Sequence, residues 1–168
     1  GVVTADTGLC LPDFRSTERT FQLLTQVCGR SGRAQKGTAL IQTFQPNHPA
    51  VKFAAAQDYE TFFDREIGER RDALYPPFTR LVNVVASSQD RGEAERLAFE
   101  IADDLKRHVV RVLGPSPCPI ERLKGQWRYH VLVKLEPEED VGVAAVPEER
   151  LTHPNVRVTV DVDPVSLL

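Results

Sequence analysis

The chain has 168 residues, enough for one ordinary domain or two small ones. Hydrophobic residues at 41%, charged residues at 27% and a formal net charge of −3 exclude a disordered tail and a strongly basic nucleic-acid module. No apolar run reaches the ~18 residues that predict a membrane-spanning helix, and GVVTADTG at the N-terminus lacks a signal-peptide pattern. Met is absent altogether, which predicts either a processed chain or a piece of a longer one.

Residues 1–7 are β-prone, and the pattern breaks at Gly8. Leu11-Pro12-Asp13 is a loop, because Pro lacks a backbone donor and biases its predecessor away from helix. Ser16 or Thr17 is placed to cap a helix over residues 18–29, with Phe21, Leu24 and Cys28 on one face. Residues 38–44 predict a strand. Asn47-His48-Pro49 starts a helix with Pro in its first turn, and the helical pattern continues to Leu74, with Asp58 a candidate cap for a second segment. Tyr75-Pro76-Pro77-Phe78 then forms the clearest boundary. Residues 79–88 predict a strand. Asp90-x-x-Glu93 resembles a capping box for a helix to about Val110, with Ala94, Leu97, Ile101 and Leu105 inward. Residues 112–119 are extended and proline-rich.

Over residues 127–135 the alternation of Trp127, Tyr129, Val131 and Val133 with Arg128, His130 and Lys134 predicts a half-buried strand. A weak helix over 138–152 is interrupted by Gly142 and Pro147, and residues 156–163 alternate as a last strand. The order from residue 79 is strand, helix, strand, strand, helix, strand, which is the split βαβ of a ferredoxin-like α+β domain.

Cys10, Cys28 and Cys118 are an odd number with no clustering, and His48, His108, His130 and His153 are scattered, so reduced thiols and no metal site are expected. Residues 1–75 hold nine basic and nine acidic residues, whereas residues 76–168 hold twelve and fifteen. Within that acidic half, residues 122–134 carry Arg122, Lys124, Arg128 and Lys134 with no acid. Arg122-x-Lys124-Gly125-Gln126-Trp127-Arg128-Tyr129 interleaves rings that can stack on bases with cations that can hold phosphates. Trp127 and Tyr129 share a strand face with Val131 and Val133, so a place in the core competes with a stacking role.

Gln26-x-x-Gly29-Arg30-x-Gly32-Arg33 presents two guanidinium groups at a helix end. Guanidinium is planar, permanently charged and bidentate toward phosphate oxygens, and in phosphoryl transfer it can stabilise charge developing on a γ-phosphate. The string resembles motif VI of the second helicase superfamily, and Thr4-Ala5-Asp6-Thr7-Gly8-Leu9 resembles motif V. Leu11-Pro12-Asp13-Phe14-Arg15, Glu18-Arg19 through Gln26, Ile41-Gln42-Thr43, His48-Pro49, Glu69-Arg70-Arg71, Pro76-Pro77-Phe78, Val112-Leu113-Gly114-Pro115 and Asp161-Val162-Asp163-Pro164 together resemble the PriA (primosomal protein N′) family of bacterial replication-restart DNA helicases.

This resemblance implies an α/β and α+β chain: residues 1–45 as the end of a RecA-like second helicase lobe, 46–75 as connecting helices, and 76–168 as a C-terminal DNA- and partner-binding domain. It implies that Gln26, Arg30 and Arg33 sense ATP across the cleft between lobes, with Arg33 as the arginine finger. It implies that Asp6 and Gly8, with Gly29 and Gly32 supporting the motif VI turn, couple nucleotide state to DNA. It further implies DNA contacts at Arg122, Lys124, Trp127, Arg128 and Tyr129. ATP and Mg²⁺ would serve the intact protein, and zinc an upstream domain. No G-x-x-x-x-G-K-[ST] occurs, so the 168 residues are expected to bind none of these alone and not to hydrolyse ATP. The implied activity is 3′→5′ unwinding that recognises stalled or branched forks and initiates primosome assembly. The alternative is a non-catalytic DNA-structure and protein-interaction module in the same pathway.

Implied partners are forked and single-stranded DNA, other primosome proteins and the replicative helicase loader, in a bacterial cytoplasm near the nucleoid and away from membranes. The family also docks the acidic tail of single-stranded-DNA-binding protein at the start of the domain's second helix. Glu138-Glu139-Asp140 at that place predicts repulsion of such a tail. Residues 1–45 are too few for a complete RecA-like lobe, so their apolar faces are expected to need further segments and to be poorly protected in hydrogen exchange.

Overall fold

The computed structural model describes residues 4–31 and 38–167. The chain divides into two compact units, Gly1–Asp72 and Ala73–Leu168.

The first unit contains α1 (Asp6–Leu9), α2 (Ser16–Ser31), α3 (Pro49–Ala56) and α4 (Tyr59–Asp72). Residues 1–7 were expected to be extended, with a break at Gly8; of these, Asp6 and Thr7 instead open a helix. This one-turn α1 runs through Gly8 to Leu9, and its first-turn Asp6 suits the positive end of the helix dipole. Helix α2 begins two residues before the expected Glu18. The Asp13 carboxylate accepts from Arg15 N at 2.9 Å, and the Asp13 carbonyl from Ser16 N, so Asp13 fixes the start. His48 caps α3 by accepting from Ala50 N at 3.2 Å, and Asp58 caps the start of α4 by accepting from Thr61 N at 3.1 Å. Only Ile41 forms a bridge within residues 38–44, against the expected strand, because a strand needs a neighbouring ladder to satisfy its backbone. Phe21, Leu24, Ala50, Val51, Ala54 and Phe62 make the core of this unit. The Phe21 and Phe62 rings stack with centroids 3.9 Å apart. Arg70 bridges Glu18 at 2.7 Å and Glu66 at 2.9 Å, tying α4 to α2.

The second unit contains β1 (Arg80–Ser88), α5 (Arg91–Lys106), β2 (Val112–Leu123), β3 (Gln126–Leu135), a 3₁₀ turn (Val141–Ala144), α6 (Glu148–Leu151) and β4 (Arg157–Val162). Its antiparallel sheet runs in the order β2-β3-β1-β4. Pro115, Pro117 and Pro119 all fall on β2, which is an edge strand, where missing N–H donors break no second ladder. Asp90 caps α5 by accepting from Glu93 N at 3.0 Å. The helix stops at Lys106, four residues short of the expected end. Ala94, Leu97, Ala98, Ile101, Ala102 and Leu105 are buried along one side of it. They pack on the sheet face carrying Val82, Val84, Tyr129, Val131 and Val133. The expected helix over 138–152 is two short pieces split before Pro147, whose ring fits only a helix start.

Candidate nucleic-acid interface

In the first unit, Gln26 and Arg30 are both exposed and lie four residues apart on α2, so they share one helix face. Arg19, Gln22, Leu23 and Gln26 line a shallow surface groove along that face, where Leu23 is 64% exposed. Gly29 meets no neighbouring atom where a Cβ would stand. Gly32 and Arg33 lie outside the described residues. Asp6 accepts from the Thr43 hydroxyl at 2.8 Å and from Phe44 N, which hold its carboxyl below the usual carboxylate range. It therefore anchors the segment at residues 43–44 to α1. At Gly8 a Cβ would stand 2.6 Å from the buried Thr20 Oγ1, so this glycine lets α1 and α2 approach.

In the second unit, Lys124 (φ 50°) and Gly125 (φ 81°) form a two-residue turn between the paired Leu123 and Gln126. Two successive positive φ values match the right-handed twist of a hairpin, and Gly is the residue that adopts the second without strain. The turn sets the register, and the register divides the basic-aromatic string between two faces.

Trp127 and Tyr129 point to the α5 side. Tyr129 is 3% exposed, so of the two readings open for its ring it takes the place in the core, and its hydroxyl accepts from Arg91 Nε at 3.1 Å. Trp127 packs partly against the core, with the Arg122 and Arg91 guanidinium carbons 5.2 Å and 5.4 Å from its ring centroid. Arg91 also pairs with Glu121 at 3.0 Å. The exposed Arg122 thus belongs to the Trp127 cluster.

Lys124 and Arg128 line a groove of about 540 Å³ on the opposite sheet face. Its floor is formed by Asn83, Val85 and Ser87, and its far wall by Arg157, Thr159 and Asp161. Ser87 is the registered neighbour of both Arg128 and Arg157, so the three form one row across β3, β1 and β4. Among the described residues Lys124, Arg128 and Arg157 have no carboxylate partner, and Arg128 donates only a long bond, 3.4 Å, to the Ile120 carbonyl. Sequence reasoning missed Arg157. Its outward position was readable from the alternation with Val156 and Val158, but not its place opposite Arg128.

Lys134 shares this face but is 8% exposed. Its Nζ donates to the Ala73 carbonyl at 2.8 Å and stands 3.7 Å from the Tyr75 ring centroid. Burial, with the Arg111 charge, lowers the ammonium's pKa. Glu138, Glu139 and Asp140 are exposed in a turn, where Glu139 accepts from Glu136 N and Asp140 from Gly142 N. Among the described residues no three His, Cys, Asp or Glu side chains could hold a metal ion, and no helix is long and apolar enough to cross a membrane.

The family model for the primosomal protein N C-terminal domain matches residues 71–165, more than half of the chain and all of the groove's strands. The chain belongs to this primosomal protein N family. The replication restart protein PriA of Bacillus subtilis (strain 168) is 38% identical over 179 residues, covering 100% of this chain and 22% of that protein. The replication restart protein PriA of Treponema pallidum (strain Nichols) is 37% identical over 174 residues, covering 100% of this chain and 26% of that protein. That of Chlamydia trachomatis serovar D is 38% identical over 176 residues, covering 98% of the chain and 23% of the relative. The chain therefore spans about a quarter of the length of these primosomal relatives.

Proposed function

We propose that this chain forms the DNA-binding end of an ATP-dependent 3′→5′ helicase that recognises stalled or branched replication forks and starts primosome assembly. The observation that carries the reading is the likeness to replication restart proteins along 98–100% of the chain, across both units. The first unit reads as the end of a RecA-like lobe. There the shared face of Gln26 and Arg30 suits a surface that meets nucleotide held elsewhere in the full-length protein. The second unit reads as a ferredoxin-like module, a reading supported by its strand order and by α5 crossing between β1 and β2. Its cations without carboxylate partners, Lys124 and Arg128, and the exposed Arg122 would hold the phosphate backbone. ATP, Mg²⁺ and the zinc of the family would be supplied outside this chain, and other primosome proteins and the helicase loader would join the assembled fork.

Reversing Arg122, Lys124 and Arg128 to Glu in the full-length protein tests the reading. Affinity for a forked DNA, measured by fluorescence anisotropy across a salt series, should fall, and the slope of log affinity against log salt should flatten by about 2. Unchanged affinity and slope would defeat it.

A further inference from the structure

We infer that the groove opposite α5 seats one nucleotide of a single-stranded nucleic acid, with its phosphate across the Arg128–Ser87–Arg157 row and its base directed along β1 toward Asn83. The inference rests on the DNA-binding reading above and assigns it a place and an orientation.

Four observations carry it. First, the registered pairs Ser87–Arg128 and Ser87–Arg157 put the Cα atoms of two arginines on either side of Ser87 on one sheet face. Both arginines line the groove, and among the described residues only the long bond to the Ile120 carbonyl holds the Arg128 guanidinium toward β2. Their Cα atoms are two strand spacings apart, about 9.5 Å, a mouth suited to a single strand and narrower than a duplex. Like charges held this way repel each other unless an anion lies between them, and a phosphate offers each guanidinium acceptor oxygens.

Second, the charge along the groove has a direction. Lys124, Arg128 and Arg157 stand at the hairpin end, while Asp161 stands beside Asn83, its registered neighbour, at the other. A phosphate is drawn to the first end and repelled from the second, whereas the amino group of a base suits the carboxylate.

Third, Asn83 is 6% exposed, and its Oδ1 is buried with no hydrogen-bond donor among the described residues. A buried acceptor left unpaired is destabilising, and a turn of the amide on the groove floor would let it recover a partner at the edge of a base. Fourth, Val85 lies between Ser87 and Asn83 on the same face, and these three residues span about 13 Å along β1. That length accommodates a phosphate at one end and a base edge at the other, with an apolar contact between. The groove's volume of about 540 Å³ falls within the range of small-ligand sites.

The test compares Arg157→Ala, Arg128→Ala and Asn83→Leu with Arg96→Ala, which removes an exposed cation of α5 on the other side of the sheet. Binding of the 168-residue chain to a fluorescein-labelled oligodeoxyadenylate is measured by anisotropy, and backbone amide shifts are followed by NMR during the same titration. Arg157→Ala and Arg128→Ala should each weaken binding at least fivefold, and Arg96→Ala less than twofold. Asn83→Leu should weaken binding to oligodeoxyadenylate more than to an abasic oligonucleotide of equal length. The largest shifts should fall on Ser87, Arg128 and Arg157.

If the groove variants bind as tightly as the unaltered chain, the groove assignment is overturned and DNA binding itself survives. If the unaltered chain fails to bind any oligonucleotide, both readings fall. Shifts in the groove caused by an acidic peptide but not by the oligonucleotide would also overturn the assignment. Near-ultraviolet signals from Trp127, on the far face, report whether each variant is folded, and the NMR map of the unaltered chain decides the matter should a variant not fold.

Discussion

Gly8→Ala measures whether this glycine is needed for packing between α1 and α2. The added methyl would stand 2.6 Å from Thr20 Oγ1 but 3.7 Å from Thr20 Cβ, so the conflict is with one hydroxyl. Thr20 is 4% exposed and that hydroxyl has no hydrogen-bond partner among the described residues, so it cannot swing toward solvent. Overpacking of this kind costs about 1–3 kcal/mol. Thr20→Ala removes the obstacle, losing roughly 1–2 kcal/mol of apolar burial but relieving an unpaired buried hydroxyl of similar cost. Thr20→Ala alone should therefore change stability by less than about 1 kcal/mol. Gly8→Ala in the Thr20→Ala background should be neutral or stabilising, because Ala exceeds Gly in a helix by about 1 kcal/mol. The coupling between the two positions should then be at least about 1 kcal/mol. Hydrogen exchange of the α2 amides, followed by mass spectrometry in the full-length protein, reads this directly, since opening free energies are local to the unit. A Gly8→Ala cost that persists unchanged with Thr20→Ala would refute the packing account, and so would no cost at all.

Leu97 is 1% exposed at the centre of the α5 face, and Leu97→Ala should destabilise the second unit by about 2–5 kcal/mol in urea titrations followed by Trp127 fluorescence. Phe99 on the outer face is 50% exposed, and Phe99→Ala should stay within about 0.5 kcal/mol by the same measurement. Burial, helped by the nearby Arg128 charge, holds the His130 imidazole below its ordinary pKa. The folded state then binds fewer protons than the unfolded one below about pH 6.5, so stability should decline as pH falls from about 6.5 toward the lowered folded value. His130→Gln should flatten the decline of the urea midpoint between about pH 7 and 5, and an unaltered slope would show that His130 does not cause it.

The second unit was largely legible in the sequence because its signals are local. Asp90 and Glu93 announce α5, the spacing of Ala94, Leu97, Ile101 and Leu105 gives its buried side, and the alternation around Tyr129 separates core from surface. The strand expected at residues 38–44 was not found, since β-propensity is satisfied only by a paired neighbour and the local sequence does not say whether one exists. The pairing of Arg128 with Arg157 was also hidden. Each position is outward by alternation alone, but their meeting across Ser87 depends on β1 lying between β3 and β4. The separation of Arg122 from Arg128 was hidden for a related reason. It follows from a turn of two residues, Lys124 and Gly125, and a turn one residue longer would change which side chains of β2 and β3 face each other.

Lys134 shows why charge and strand parity together do not define a nucleic-acid surface. It has the same parity as Arg128 and lies in the same acid-free segment, yet its ammonium is held by the Ala73 carbonyl and the Tyr75 ring. Such a cation has already exchanged its hydration for fixed partners, and binding a phosphate would require breaking them. Arg157 lies in the acidic C-terminal stretch and is unremarkable in a tally of charge, but it faces an open groove with no carboxylate beside it among the described residues. The difference between the two lies in the segments that cross the sheet face. Residues 73–75 close the end of β3 that carries Lys134, while the hairpin end remains open at Ser87. A backbone phosphate would approach most readily where the cations are not already paired with carboxylates or buried, and on this face the Arg128–Ser87–Arg157 row meets that condition among the described residues.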